Sequence, residues 1–171
     1  MLLELADSAV LPYNLERFPK IMQETLEEFD ANNVTSLLQK GGVTLQYIKE
    51  AVNEFKISTE EFMKNLQETK KSLDSLSLRI VNDQMMQLER IFNMPQGLPG
   101  RPGIRNAIFA PAKFNSYAGS AFPGISDLLH EIDDLDDELK ASRWKQIRQH
   151  LSDLMIMILE AERFLRPVEQ S

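Results

Sequence analysis

The side chains that could bind a metal or transfer a proton are few in this sequence. The two histidines, His130 and His150, lie on different predicted helices, and neither belongs to an HExxH motif or a comparable ligand spacing. Cysteine is absent, which excludes disulfides, thiolate metal sites and cysteine nucleophiles. We therefore interpret both histidines as structural residues and expect no cofactor to be bound by this chain.

The acidic and hydroxyl side chains also lack the spacing of a known site. The acidic run at 133–138, DDLDDE, has neither the glycine nor the terminal glutamate of an EF-hand loop. We interpret it as a solvated turn whose carboxylates favour the N-terminus of the next helix. Ser8, Ser116 and Ser120 lie in no nucleophile-elbow sequence, and the glycines match neither a P-loop nor a dinucleotide fingerprint. The chain alone is therefore not expected to be an enzyme.

Charge and hydropathy exclude two classes of partner. With 19 basic and 26 acidic residues the net charge is −7, the wrong sign for a generic nucleic-acid or anionic-membrane surface. No run approaches the roughly 20 apolar residues of a membrane span, and residues 1–11 lack the pattern of a signal peptide. We expect a soluble chain with no nucleic-acid partner and no direct membrane contact.

Apolar residues recur at helical spacing through most of the 171 residues. We predict an all-α fold: an up-and-down helical bundle of four main helices plus short ones, forming a single domain over 1–171. The predicted helices lie at about 2–10, 14–31, 45–73, 76–92, 125–132 and 144–165.

Local signals leave three alternatives open. The second helix begins either after a cap at Asn14 or at Phe18 or Pro19, with the preceding residues in a turn. Ser58 and Glu61 could form a capping box that divides the long 45–73 pattern in two. Residues 107–110 are the one candidate strand.

A long loop interrupts the helical pattern. Residues 92–125 contain five prolines and five glycines, which are incompatible with a long helix. The same stretch carries four aromatic residues beyond Phe92, namely Phe109, Phe114, Tyr117 and Phe122. A connection of this length with aromatic anchors is typical of an ordered functional loop, which we place at 93–124.

Four segments resemble one protein family. They are LADSAVLP at 5–12, VNDQMMQLERIF at 81–92, GLPGRP at 97–102 and NSYAGSAFPGI at 115–125. In order and spacing they are similar to the C-terminal region of the glutamate carboxypeptidase II and transferrin receptor family. The tyrosine in the last segment places the chain closer to the peptidase branch than to the receptor branch, which has lost catalysis.

This resemblance implies a transferrin receptor-like dimerisation domain. In full-length relatives such a domain packs against a zinc-peptidase domain and against its twin, so the implied partners are a second copy and the peptidase domain of the parent chain. The zinc ligands and the general base lie upstream in the family, and this sequence begins after them. We therefore expect an excised part of a longer hydrolase, whose location by resemblance is the secretory pathway, the cell surface or a vacuolar membrane.

The resemblance also implies three substrate-binding residues. Glutamate carboxypeptidase-like members present Asn-Lys-Tyr to the substrate pocket, where lysine and tyrosine hold the carboxylates of a C-terminal glutamate. The matching residues here are Asn115, Ser116 and Tyr117. Tyr117 keeps a phenol donor, but Ser116 cannot supply the cation that would offset burial of a second carboxylate. This departure argues against a glutamate preference unless Lys113 substitutes for the missing lysine.

A function of a different class is also compatible with the sequence. The chain could be an autonomous helical scaffold, or a receptor or sorting domain of a relative without catalysis. An intact or a degraded set of zinc ligands in the upstream sequence would discriminate between the peptidase and these alternatives.

Overall fold

A computed structural model of the protein describes residues 9–114 and 121–166. Within these ranges the chain is helical and contains no strand, only two isolated bridges in the long loop. The helices are α1 (Arg17–Ala31), α2 (Val34–Lys40), α3 (Gln46–Thr69), α4 (Ser75–Ile91), α5 (Pro123–Leu129), a 3₁₀ helix (Ile132–Asp134) and α6 (Asp137–Leu165). This confirms the predicted all-α bundle of four main helices and shorter ones. No helix in the described ranges is long and apolar enough to span a membrane.

The core forms where the apolar stripes of the four main helices meet. Phe92, directly after α4, is fully buried, and its ring lies 5.6 Å from that of Phe18 on α1 and 6.1 Å from that of Phe55 on α3. The inward face of α6 adds a regular series of buried residues: Ile147, Leu151, Leu154, Ile158, Ala161 and Leu165. The apolar residues that recur every three or four positions in the sequence are therefore the residues that pack in the core.

The structure decides between the open alternatives at two helix boundaries. Helix α1 begins at Arg17, between the two predicted starts and one residue before Phe18, so Pro19 lies in its first turn. Helix α3 continues without a break past Ser58, so the predicted capping box is wrong. The Ser58 hydroxyl is buried and donates instead to the Glu162 carboxylate of α6, at 3.0 Å.

One helix was not predicted. Helix α2 begins directly after Asn33, which adopts a left-handed conformation with φ 60° and separates it from α1. Its seven residues form less than two turns and bury only one side chain, Leu38. The sequence therefore carries no repeated apolar pattern at this helix. A helix this short gives no reliable pattern, and its packing against neighbouring helices stabilises it.

Two aspartates cap the later helices. Asp74 accepts a hydrogen bond from the backbone N–H of Ser77 at 2.7 Å, which lowers the pKa of its carboxyl group. Asp136 accepts from the N–H of Leu139 at 2.9 Å and so caps α6. Asp136 therefore places a carboxylate at the start of the following helix, as predicted, but this helix begins seven residues before the predicted 144, so Asp137 and Glu138 lie in its first turn and not in a solvated turn.

Candidate functional site

The long loop after α4 is folded by its own hydrogen bonds. Met94 and Leu98 donate their backbone N–H groups to the carbonyls of Arg105 and Ile104, and both side chains are buried in the core. Gly97 adopts φ +75°, and a Cβ there would lie 2.5 Å from the carbonyl oxygen of Pro102. Only glycine fits this turn, because a side chain would collide with backbone atoms that cannot move aside.

The candidate strand at 107–110 is not a strand. Asn106 accepts hydrogen bonds from the N–H groups of Ile108 and Phe109 at 3.0 and 2.7 Å, which bends the chain at this point. The Phe109 ring then packs edge-on against Phe18 at 5.1 Å, and the guanidinium of Arg17 lies 4.6 Å from its centre. Ala107 and Ile108 are fully buried while Phe109 and Ala110 are partly buried, so this apolar run belongs to a turn that an asparagine side chain holds.

An ion pair between a partly buried arginine and a buried aspartate holds the next part of the loop. Arg101 Nη2 lies 2.6 Å from Asp127 Oδ2 on α5, with exposed side-chain fractions of 15% and 7%. Arg101 Nη1 donates to the carbonyl of Pro111 at 2.6 Å, and Asp127 Oδ1 accepts from the N–H of Lys113 at 2.6 Å. Both charged groups therefore also bind backbone atoms of the segment 111–113.

A second polar contact holds the chain where it returns to the bundle. The buried hydroxyl of Thr25 on α1 accepts a hydrogen bond from the N–H of Ala121 at 2.8 Å and donates to the carbonyl of Ile21 at 2.9 Å. Phe122 follows with a left-handed φ of 61° and a buried ring. Residues 111–113 and 121–122 are thus both attached to the helical frame.

The implied substrate-binding residues Asn115, Ser116 and Tyr117 lie outside the described residues. Lys113, the candidate substitute for the family's lysine, is described. Its ammonium group lies 4.9 Å from the centre of the Phe114 ring, a cation–π distance. Lys113 therefore contacts Phe114, the residue directly before Asn115 in the chain.

The two histidines have different environments, and both contact elements next to the loop. His130 stacks on Phe114 with the ring centres 3.8 Å apart. His150 is buried on α6 against Gly124, where a Cβ would lie 2.2 Å from its Nε2 atom. Neither ring nitrogen of His150 has a hydrogen-bond partner among the described residues, and burial lowers its pKa from 6.5 to about 4. His150 is therefore held neutral inside the fold.

Sequence reasoning missed the residues that hold this loop. Arg101 lies in the GLPGRP segment and Asp127 in the predicted helix at 125–132, and no motif around either residue predicts an ion pair. Thr25 carried no signal at all, because its partner Ala121 is 96 residues away along the chain. A buried polar pair between distant segments leaves no local pattern, so the structure was needed to find these contacts.

Comparison with known proteins shows the family to which this chain belongs. Residues 43–166 match the family model of the transferrin receptor-like dimerisation domain. The match covers most of the chain, which therefore belongs to this family of dimerisation domains. The fold and the family predicted from the sequence are both confirmed.

Individual relatives place the chain on the peptidase branch of the family. It is 28% identical over 169 residues to aminopeptidase NAALADL1 of Rattus norvegicus, covering 98% of this chain and 22% of that protein. It is 26% identical over 145 residues to the probable glutamate carboxypeptidase VP8 of Zea mays, covering 80% of this chain and 19% of the relative. The chain thus spans about a fifth of the length of these curated relatives.

Proposed function

We propose that this domain is the C-terminal dimerisation module of a zinc-dependent peptidase and is not catalytic alone. The observation that carries the proposal is the similarity to an aminopeptidase over 98% of this chain. Among the residues that the structure describes, no three His, Asp or Glu side chains converge, so they do not fit a zinc site. In this proposal the zinc and the general base belong to a peptidase domain elsewhere in the full-length protein.

Self-association requires an apolar surface that the bundle itself leaves uncovered. The α6 run at 154–159, LMIMIL, is apolar on every side, yet only Leu154 and Ile158 of it are fully buried. Ile156 on the outward face is 53% exposed. Met155, Met157 and Leu159 are partly buried against the core, so the uncovered apolar surface of this run centres on Ile156.

A groove beside this run extends the apolar surface. It has a volume of about 310 Å³ and lies between the start of α3 and the middle of α6, where Tyr47, Ile48 and Met155 are among its lining residues. The outward face of α4 is less suitable, because its exposed Leu76 and Ile80 alternate with charged residues. We therefore assign the dimer contact to the outward face of α6 and this groove, with a second copy as the occupant.

The first test is to place a charge on this face in the full-length protein. We expect Ile156→Glu to raise the dimer dissociation constant about 100-fold or more, because a two-fold interface would bury the unpaired carboxylate twice. Sedimentation equilibrium measures the constant. The matched control is Ile80→Glu on α4, where the original side chain is 58% exposed. Equal dissociation of both variants, or a dimer unaffected by Ile156→Glu, would contradict the assignment.

We further propose that the segment Asn115, Ser116 and Tyr117 contributes to the substrate pocket of the peptidase domain. Support comes from the family resemblance and from the hydrogen bonds that attach the chain on either side of this segment. In the proposal Tyr117 donates its phenol hydrogen to a substrate carboxylate. Ser116 lacks a cation, so the pocket accepts C-terminal glutamate poorly.

Two substitutions in the full-length protein test the pocket role. We expect Tyr117→Phe to lower kcat/KM for a peptide substrate by a factor that corresponds to about 0.5–3 kcal/mol, the range for a lost hydrogen bond. Ser116→Lys should raise the ratio of kcat/KM for peptides ending in glutamate over peptides ending in an apolar residue. Unchanged values for both variants would show that the segment has no substrate role. A full-length dimer without peptidase activity would favour a receptor or sorting relative instead.

A further inference from the structure

The ion pair between Arg101 and Asp127 has an unusual set of additional contacts. The Asp127 side chain is buried and that of Arg101 is partly buried, and each also binds one backbone group of the segment 111–113. Arg101 binds the carbonyl of Pro111, and Asp127 binds the N–H of Lys113, each at 2.6 Å. Together they connect the 97–106 turns, helix α5 and the segment 111–113.

Stability alone is a weak explanation for such a pair. Removing two charges from water costs several kcal/mol, and well-packed apolar residues often stabilise a fold equally well. The backbone groups at Pro111 and Lys113 would need no charged partner if this part of the chain only connected two helices. A fixed backbone next to a binding segment, in contrast, lowers the entropy that substrate binding must otherwise overcome.

We propose that Arg101 and Asp127 are positioning residues for substrate recognition. They fix the backbone at 111–113, directly ahead in the chain of the residues to which we assign the substrate contact. The buried hydroxyl of Thr25 performs the same task on the other side, through the N–H of Ala121. This inference rests on the proposed pocket role of Tyr117, but it assigns a different function to different residues.

The substitutions that test this proposal follow from the chemistry of the contacts of Arg101 and Asp127. Asp127→Asn keeps an oxygen that can accept from Lys113 but removes the charge that faces Arg101. Arg101→Lys keeps the positive charge but cannot contact Pro111 and Asp127 through two separate nitrogens of one planar group. The matched control is Asp133→Asn, because Asp133 pairs with Lys140 at 2.8 Å on an exposed surface.

The test measures steady-state kinetics of the full-length protein on one peptide substrate. We expect Asp127→Asn and Arg101→Lys each to raise KM about 10- to 100-fold with a smaller change in kcat, since small misplacements of binding groups have effects of this size. Asp133→Asn should leave both constants unchanged. Unaltered KM in both Asp127→Asn and Arg101→Lys would overturn the proposal.

A double-mutant cycle separates positioning from general loss of structure. If the pair positions the Tyr117 segment, Tyr117→Phe should have a smaller effect on KM in the Asp127→Asn background than in the native protein. Fully additive effects would overturn the proposal. If Tyr117→Phe alone has no effect on substrate, the pocket role and the positioning role both fail. If it has an effect and Asp127→Asn has none, only the positioning role fails.

Hydrogen exchange of the full-length protein gives a readout that is independent of activity. Asp127→Ala, which removes the acceptor oxygen, should accelerate exchange of the Lys113 amide at least tenfold, because that amide donates to the Asp127 carboxylate. The Ala121 amide, which donates to Thr25, should retain its protection. Unchanged exchange at Lys113, or equal acceleration at both amides, would overturn the proposal. The second result would indicate general unfolding.

Discussion

Substitution of Phe92 by alanine should lower the free energy of unfolding by about 3–5 kcal/mol, the range for removing a buried aromatic side chain. Phe92 is fully buried and contacts Phe18 and Phe55 from two different helices. Its carbonyl oxygen also accepts the N–H of Ala107 at 2.8 Å, which attaches the loop at the same point. Because its neighbours belong to three separate elements, they cannot close the resulting cavity together.

Equilibrium unfolding of the chain in urea, followed by circular dichroism, measures this loss. The matched control is Phe164→Ala near the end of α6, where the ring is 37% exposed. We expect the control to lose less than about 1 kcal/mol, because much of its apolar surface already contacts water. Equal losses in the two variants would contradict the view that Phe92 is the centre of the core.

The stability of the domain should also decrease as the pH falls from about 6.5 to about 4, because His150 must stay neutral in the folded state. Burial lowers the pKa of His150 from 6.5 to about 4, and the nearby Asp153 carboxylate offsets this only in part. The His150 ring packs directly against Gly124, where a Cβ would lie 2.2 Å from the Nε2 atom of the ring. Asp153 is the only charged group among the described residues that line the adjacent cavity.

The direction of this pH dependence of stability follows from proton binding. Between pH 6.5 and 4 the unfolded chain binds a proton at His150 that the folded chain does not, so acid favours unfolding in this interval. Above the unfolded pKa the stabilisation is fully present. One pKa unit corresponds to about 1.4 kcal/mol, so the loss from this residue amounts to roughly 3 kcal/mol.

Urea unfolding at a series of pH values tests this dependence. His150→Gln removes the titrating group, and we expect its stability to vary less between pH 6.5 and 4 than that of the native chain. His130→Gln is the matched control, because His130 is partly exposed and stacks on Phe114 at the surface. Parallel pH curves for native and His150→Gln chains would show that other groups cause the acid sensitivity.

The helices of this domain could be predicted because their signal is local and repeated. Along α6 the apolar residues recur every three or four positions from Ile147 to Leu165, and the same positions are buried. The start of α1 at Arg17, two residues before Pro19, also agrees with a local rule, since proline is tolerated in the first turn of a helix. The resemblance to the family likewise depended on four short segments of the sequence.

The contacts that hold the loop could not be predicted in this way. Arg101 and Asp127 are 26 positions apart, and neither has a special neighbour that identifies its partner. The burial of His150 depends on Gly124 of another helix, so its lowered pKa has no counterpart in its own sequence context. Helical periodicity determines which residues of a helix face inward, but not which polar groups they contact there.

The anchored loop also has a consequence for how new specificities could arise in this family. Among the described residues, Arg101, Asp127 and Thr25 bind the backbone on either side of positions 115–120. We expect that these six positions can be exchanged together while the frame on either side stays the same. Chimaeras that carry the corresponding residues of different relatives should fold alike and differ in the peptides they accept.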